Sequence, residues 1–193
     1  MDNYDASNDY YCYPNSAVLK NKLNIQDMDA LETAEREITA FTIRSIQYSP
    51  APYNLLNFKR LHLALFSELY TWAGELRSVD ISKGGTRFCT CGRIEAEALK
   101  LFEALKKDKW LTELNKQAFC KKLAEYYCEF NMIHPFREGN GRVQRLFFEH
   151  LALFAGYTLD WTDINPEEWV SANIDGVDVN YDPMEKIFSR IVR

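Results

Sequence analysis

The feature that most constrains this chain is the twelve-residue segment His134-Pro135-Phe136-Arg137-Glu138-Gly139-Asn140-Gly141-Arg142-Val143-Gln144-Arg145. The pattern before it, from Asn115 to Asn131, places Phe119, Leu123, Tyr126, Tyr127 and Phe130 at helical spacing. The pattern inside and after it places Val143, Leu146, Phe147, His150, Leu151 and Phe154 on one helical face, with Gly156 as a stop. Pro135 biases His134 away from helical geometry. Gly139 and Gly141 open conformations closed to other residues. The predicted arrangement is helix, Gly-rich loop, buried helix.

Other helical patterns surround this junction. Asp27 to Tyr48 carries the stripe Met28, Leu31, Ala34, Ile38, Phe41 and Ile46, and Ser49-Pro50-Ala51-Pro52 closes it. Asn54 to Leu69 has Leu55, Phe58, Leu61, Leu65 and Phe66 on one side; His62 beside them reads as a packing or hydrogen-bonding residue. Arg93 to Lys107 is another helix, and two short ones follow Asn165-Pro166 and Asp182-Pro183. Leu76 to Cys91 differs: Val79 and Ile81 alternate with polar residues, then Gly84-Gly85 precedes Arg87-Phe88-Cys89. That is a hairpin signal. A lone hairpin is marginal, so it leans on the helices or serves as a flap. The expectation is a mainly α chain forming one domain over residues 1–193, with a single hairpin at about 76–91 and a disordered start at roughly residues 1–10.

Composition removes several functions. Asp plus Glu number 28 against 23 Lys plus Arg, a formal charge of −5, which disfavours direct binding to nucleic acid through its phosphates. The richest apolar stretch, Leu146 to Tyr157, is interrupted by Glu149 and His150, so no membrane span is expected. Five cysteines make an odd set in a chain of this size, which reads as reduced thiols in a cytoplasm. Cys89 and Cys91 lack the second ligand pair that zinc requires.

A Gly-rich loop that opens a helix is an anion site, because unpaired N–H groups and the helix dipole both favour negative charge. Arg142 and Arg145 share a face of the first turn and point to more than one phosphate. Glu138 fits such a site when a cation such as Mg²⁺ accompanies a nucleotide polyphosphate. His134 is the natural acceptor of a proton from an attacking hydroxyl. Each residue also has a plainer reading: Arg145 could pair with Glu149, Asn140 and the glycines could make a turn and cap, and His150 on the apolar stripe reads as a satisfied core histidine. Phe136 reads as the loop's anchor in the core. Twelve residues that combine all these features at one junction favour the anion site.

The segment resembles the signature of the Fic family, HPFx(D/E)GNGRxxR, with every fixed position present. Tyr13-Pro14 and Trp72-Ala73-Gly74 are similar to elements of compact bacterial members of the toxin type. The resemblance implies the Fic fold and transfer of AMP from ATP to a Tyr, Thr or Ser hydroxyl of a target protein. It implies His134 as general base and Glu138 as the Mg²⁺ ligand. The backbone of Gly139 to Gly141 and the amide of Asn140 would receive α- and β-phosphate oxygens, Arg142 would neutralise pyrophosphate, and Arg145 would reach the γ-phosphate. The hairpin would be the target-aligning flap, with Lys83, Gly84, Gly85 and Phe88.

Many relatives are inhibited by a helix carrying Ser or Thr, three residues, Glu, then Gly or Asn, whose Glu pairs with the second motif arginine. No strict match exists here: Thr33 leads to Glu37-Ile38, Thr71 to Glu75-Leu76, and Ser171 to Asp175-Gly176. The expected inhibitor is therefore a small antitoxin-like protein acting in trans. Family toxins modify DNA topoisomerase subunits and family effectors modify host GTPases; the chain's length favours the toxin side. Two other readings stay open: a Fic-type transferase of phosphate or phosphocholine, and a non-catalytic nucleotide-binding module.

Overall fold

A computed structural model describes residues 9–193. Seven α-helices form among the described residues: α1 (Met28–Thr42), α2 (Leu55–Phe66), α3 (Ile94–Lys107), α4 (Lys116–Ile133), α5 (Asn140–Phe154), α6 (Pro166–Val177) and α7 (Asp182–Ile191). One antiparallel pair, β1 (Ser82–Lys83) and β2 (Thr86–Arg87), interrupts them. Helix starts follow local chemistry. Asp27 accepts from the Ala30 N–H at 2.9 Å, Asn115 from Ala118 at 3.0 Å, and Asn54 and Asn57 cap each other reciprocally.

Helix α4 is the hub and packs against α3, α5, α6 and α7, while α2 bridges α1, α3 and α5. Their apolar faces meet in one continuous core. Its centre is aromatic: Phe58 lies 5.3 Å from Phe147 and 5.7 Å from Phe136, and Phe102 lies 5.1 Å from Phe130. Phe136 is fully buried, so the loop between α4 and α5 is pinned to this cluster. Helix α5 is buried nearly all round, including Gln144 and Phe148, which lie off the stripe read from sequence.

Several expectations are corrected. The first helix ends at Thr42, not Tyr48, and a short 3₁₀ turn, Ile43–Ser45, follows. Hydroxyls of Thr42 and Ser45 donate back to Thr39 O and Thr42 O, local bonds that compete with a continuing helix. The buried face of α1 is Leu31, Glu35 and Thr39, whereas Phe41 is 76% exposed. The hairpin strands are two residues each, although alternation extends further. The Val79 and Cys89 carbonyls receive the Arg77 guanidinium instead of cross-strand N–H groups. Of the expected disordered start, residues 1–8 lie outside the described residues, but Asp9 and Tyr10 are tied down: Asp9 binds Arg137 and Tyr10 O accepts from Lys20 at 2.7 Å.

Replacing Phe58 by Ala should empty the centre of the aromatic cluster and cost about 3–5 kcal/mol of stability. Urea unfolding followed by circular dichroism measures it.

Candidate functional site

Helix α4 ends where His134 adopts a left-handed conformation, φ 43° and ψ 63°. That region costs a residue with a β-carbon about 1–2 kcal/mol. Arg77, which sequence reasoning did not single out, helps to hold it: its Nε donates to His134 O at 2.7 Å and its backbone N–H to Pro135 O at 2.8 Å. The same guanidinium holds the base of the hairpin, so Arg77 fastens hairpin and loop together. The His134 ring lies with Nδ1 2.7 Å from Asn131 O and stacks on Phe88 at 3.9 Å. A carbonyl only accepts, so in the neutral ring Nδ1 carries the proton and Nε2 has the lone pair.

The loop is closed by one side chain. Asn140 Oδ1 accepts from the Phe136 N–H and its Nδ2 donates to Phe136 O, both at 2.8 Å. The side-chain amide expected to meet phosphate is thus engaged within the loop; what Asn140 offers an anion is its backbone N–H in the first turn of α5. Gly139 has φ 78°, and a Cβ there would stand 2.2 Å from Phe66 Cζ. At Gly141 the nearest atom to an added Cβ is an Arg145 guanidinium nitrogen 3.9 Å away, so backbone is open to a ligand.

Glu138 is buried; its Oε1 accepts from the Gly139 N–H at 2.8 Å and lies 3.6 Å from Arg142. Its carbonyl receives Nε2–H of His62 at 3.0 Å, while His62 Nδ1 accepts from the Gly74 N–H at 2.8 Å. His62 therefore joins the Trp72-Ala73-Gly74 turn to the motif loop. Burial pushes its pKa down to about 3, against the partial opposing effect of the Glu138 carbonyl. His150 occupies the core as expected, 3.5 Å from the Ser49 N–H, and burial lowers its pKa as well.

The three arginines of the segment have separate fates. Arg137 is buried against Asp9, with Nε 2.7 Å from Oδ2. Arg142 binds Glu35, lies 3.3 Å from Thr39 Oγ1 and sits over the Phe66 ring at 4.8 Å. Arg145 is exposed and forms no ion pair among the described residues; Glu149, its possible helix partner, instead accepts from Trp161 Nε1 at 2.5 Å. The structure therefore brings Glu138, Gly139, Asn140, Gly141, Arg142 and Arg145 to one loop-to-helix junction. Open first-turn amides, an accessible guanidinium and a hard carboxylate suit a polyphosphate with Mg²⁺.

In the hairpin, Ser82 pairs with Arg87 and Lys83 with Thr86, while Gly84 and Gly85 make the turn with positive φ. Lys83, Gly84 and Gly85 are exposed at the tip. Phe88 faces inward, packed on Ile81 and His134, so it acts on the histidine rather than at the flap's outer edge.

Residues 52–152 match the Fic/DOC family model. The chain is 40% identical over 191 residues to the "Probable protein adenylyltransferase Fic" of Escherichia coli K12, covering 99% of this chain and 96% of that protein. It is 35% identical to "Probable protein adenylyltransferase y4lH" of Sinorhizobium fredii, over the whole of both chains. Among solved structures, BepC of Bartonella tribocorum with bound AMPPNP superposes with a TM-score of 0.86 at 27% identity, covering 95% of this chain and 96% of that one. The N-terminal Fic domain of a Bartonella quintana effector with bound ADP gives 0.87 at 30% identity, covering 95% and 94%. The protein belongs to the Fic/DOC family.

Gly139→Ala should displace Phe66 or the loop and weaken Mg²⁺–ATP binding, read by isothermal titration calorimetry. For His62, the unfolded chain takes up a proton near pH 6.5, well above the folded state. Its contribution to stability is complete above about pH 6.5 and declines toward about pH 3, by up to about 1.4 kcal/mol per pH unit. Urea unfolding at pH 7, 6 and 5 should show this slope, and His62→Gln should flatten it.

Proposed function

We propose that the protein transfers AMP from ATP to a hydroxyl side chain of a target protein. One observation carries this reading: a histidine with its Nδ1 proton tied to Asn131 O stands at one end of a clasped loop whose other end is an open helix N-terminus. The target oxygen attacks the α-phosphorus and its proton passes to His134 Nε2. The bond from the α-phosphorus to the oxygen bridging to the β-phosphorus breaks, and pyrophosphate leaves. The backbone N–H groups of Asn140 and Gly141, and that of Gly139 once Glu138 Oε1 leaves it for the cation, hold α- and β-phosphate oxygens, and Arg142 and Arg145 offset the charge of the leaving group. Glu138 would hold Mg²⁺, which supplies charge neutralisation on the phosphates when bound. The exposed edge at Lys83, Gly84 and Gly85 aligns a target segment by main-chain pairing.

The proposed regulation is a small antitoxin-like protein acting in trans in the bacterial cytoplasm. Glu37 is exposed, Glu75 pairs with Lys59 at 3.4 Å, and neither these nor Asp175 forms an ion pair with Arg145 among the described residues. The target class to test first is a DNA topoisomerase subunit.

Purified protein with Mg²⁺ and cell extract should transfer label from α-labelled ATP and none from γ-labelled ATP. Label from the γ-position would indicate phosphate transfer, and binding without transfer a non-catalytic module. His134→Ala should lose about 10²–10⁴-fold in rate; full activity in that variant would remove the histidine from the mechanism. The isolated chain should be active, and Glu37→Gly or Asp175→Ala should not raise its rate. Inactivity relieved by either substitution would place the inhibitor within the chain.

A further inference from the structure

Glu35 is a carboxylate 1% exposed on the buried face of α1, far in sequence from the motif. It accepts from the Tyr70 hydroxyl and from an Arg142 guanidinium nitrogen. Thr39, one turn on, takes a second nitrogen of Arg142 at 3.3 Å and donates to Glu35 O at 2.7 Å. The Phe66 ring covers one face of the guanidinium. The Arg142 side chain nevertheless remains 29% exposed. Both terminal nitrogens hold a protein partner, Nη2 on Glu35 and Nη1 on Thr39, while part of the side chain stays open to solvent.

We infer that Glu35 is a positioning residue for nucleotide transfer, which fixes the Arg142 guanidinium so that its open edge meets the β- and γ-phosphates. This rests on the role given to Arg142 above. A guanidinium has five donors in a rigid fork, so it serves a buried carboxylate and a phosphate together. A carboxylate that competed with phosphate would need somewhere to retreat, but Glu35 is enclosed by α1 and the Tyr70 hydroxyl. Glu138, the other carboxylate near Arg142, is the metal ligand in the proposed reaction. Glu35 therefore keeps the guanidinium oriented when Glu138 turns to the cation. Burial alone would lower the pKa of Arg142, but Glu35 and then Glu138 raise it, so its charge is retained.

The test is calorimetric binding of AMP, ADP and AMPPNP, each with Mg²⁺, to the full chain and its Glu35→Ala, Glu35→Gln and Arg142→Ala variants. Glu35→Ala should weaken ADP and AMPPNP on the order of tenfold, as loss of an orienting partner does elsewhere, and leave AMP unchanged. Glu35→Gln, which keeps an acceptor for Tyr70 without the charge, should show the same selectivity with a smaller loss; it decides the matter if the Ala variant does not fold. Equal weakening of all three nucleotides would reduce Glu35 to a structural role, and no weakening would remove it. Tighter AMPPNP binding would make it an inhibitory latch; each outcome overturns the inference. If Arg142→Ala leaves the preference for AMPPNP over AMP intact, the reading of Arg142 fails. If it abolishes that preference while the Glu35 variants do not, only the role of Glu35 fails.

Discussion

The Asn140 carboxamide, bonded twice to the Phe136 backbone, is the contact on which the site depends. It closes the chain between α4 and α5 into a rigid corner. Because Phe136 is sunk among aromatic rings, the corner is registered against the core. Its two ends then fall where chemistry needs them: a histidine forced out of helical geometry, and the first turn of a new helix. The left-handed His134 is a strained position at the candidate site, held there by Arg77.

Charge is divided with equal economy. Arg137 is neutralised from the chain's start and Arg142 from α1, whereas Arg145 faces solvent. The first two arginines help to build the site. The third is the cation most available to an arriving anion. A protein of net charge −5 thus keeps one exposed guanidinium at the first turn of α5.

The helices and their junction were legible because periodicity, capping residues and the twelve-residue segment all agree. Phe41 and Glu35 show where that reading fails. Hydropathy places Phe41 inside α1 and Glu35 outside, yet the need to partner Arg142 across the fold inverts them. The Thr33–Glu37 spacing passes over Glu35, whose signal is membership of the stripe Leu31, Glu35, Thr39. Arg77 was likewise silent: its acceptors are carbonyls, which any residue supplies. The flap's turn was legible from Gly84-Gly85, but not the brevity of its strands.

The ion pair between Asp9 and Arg137 joins positions 128 residues apart. A chain made from its N-terminus must complete most of its length before Arg137 exists to receive Asp9. The order of synthesis therefore delays this part of the loop's support, and contacts of such separation are slow to form even in the complete chain. A nascent chain can carry well-formed early helices while the corner between α4 and α5 is still unmade.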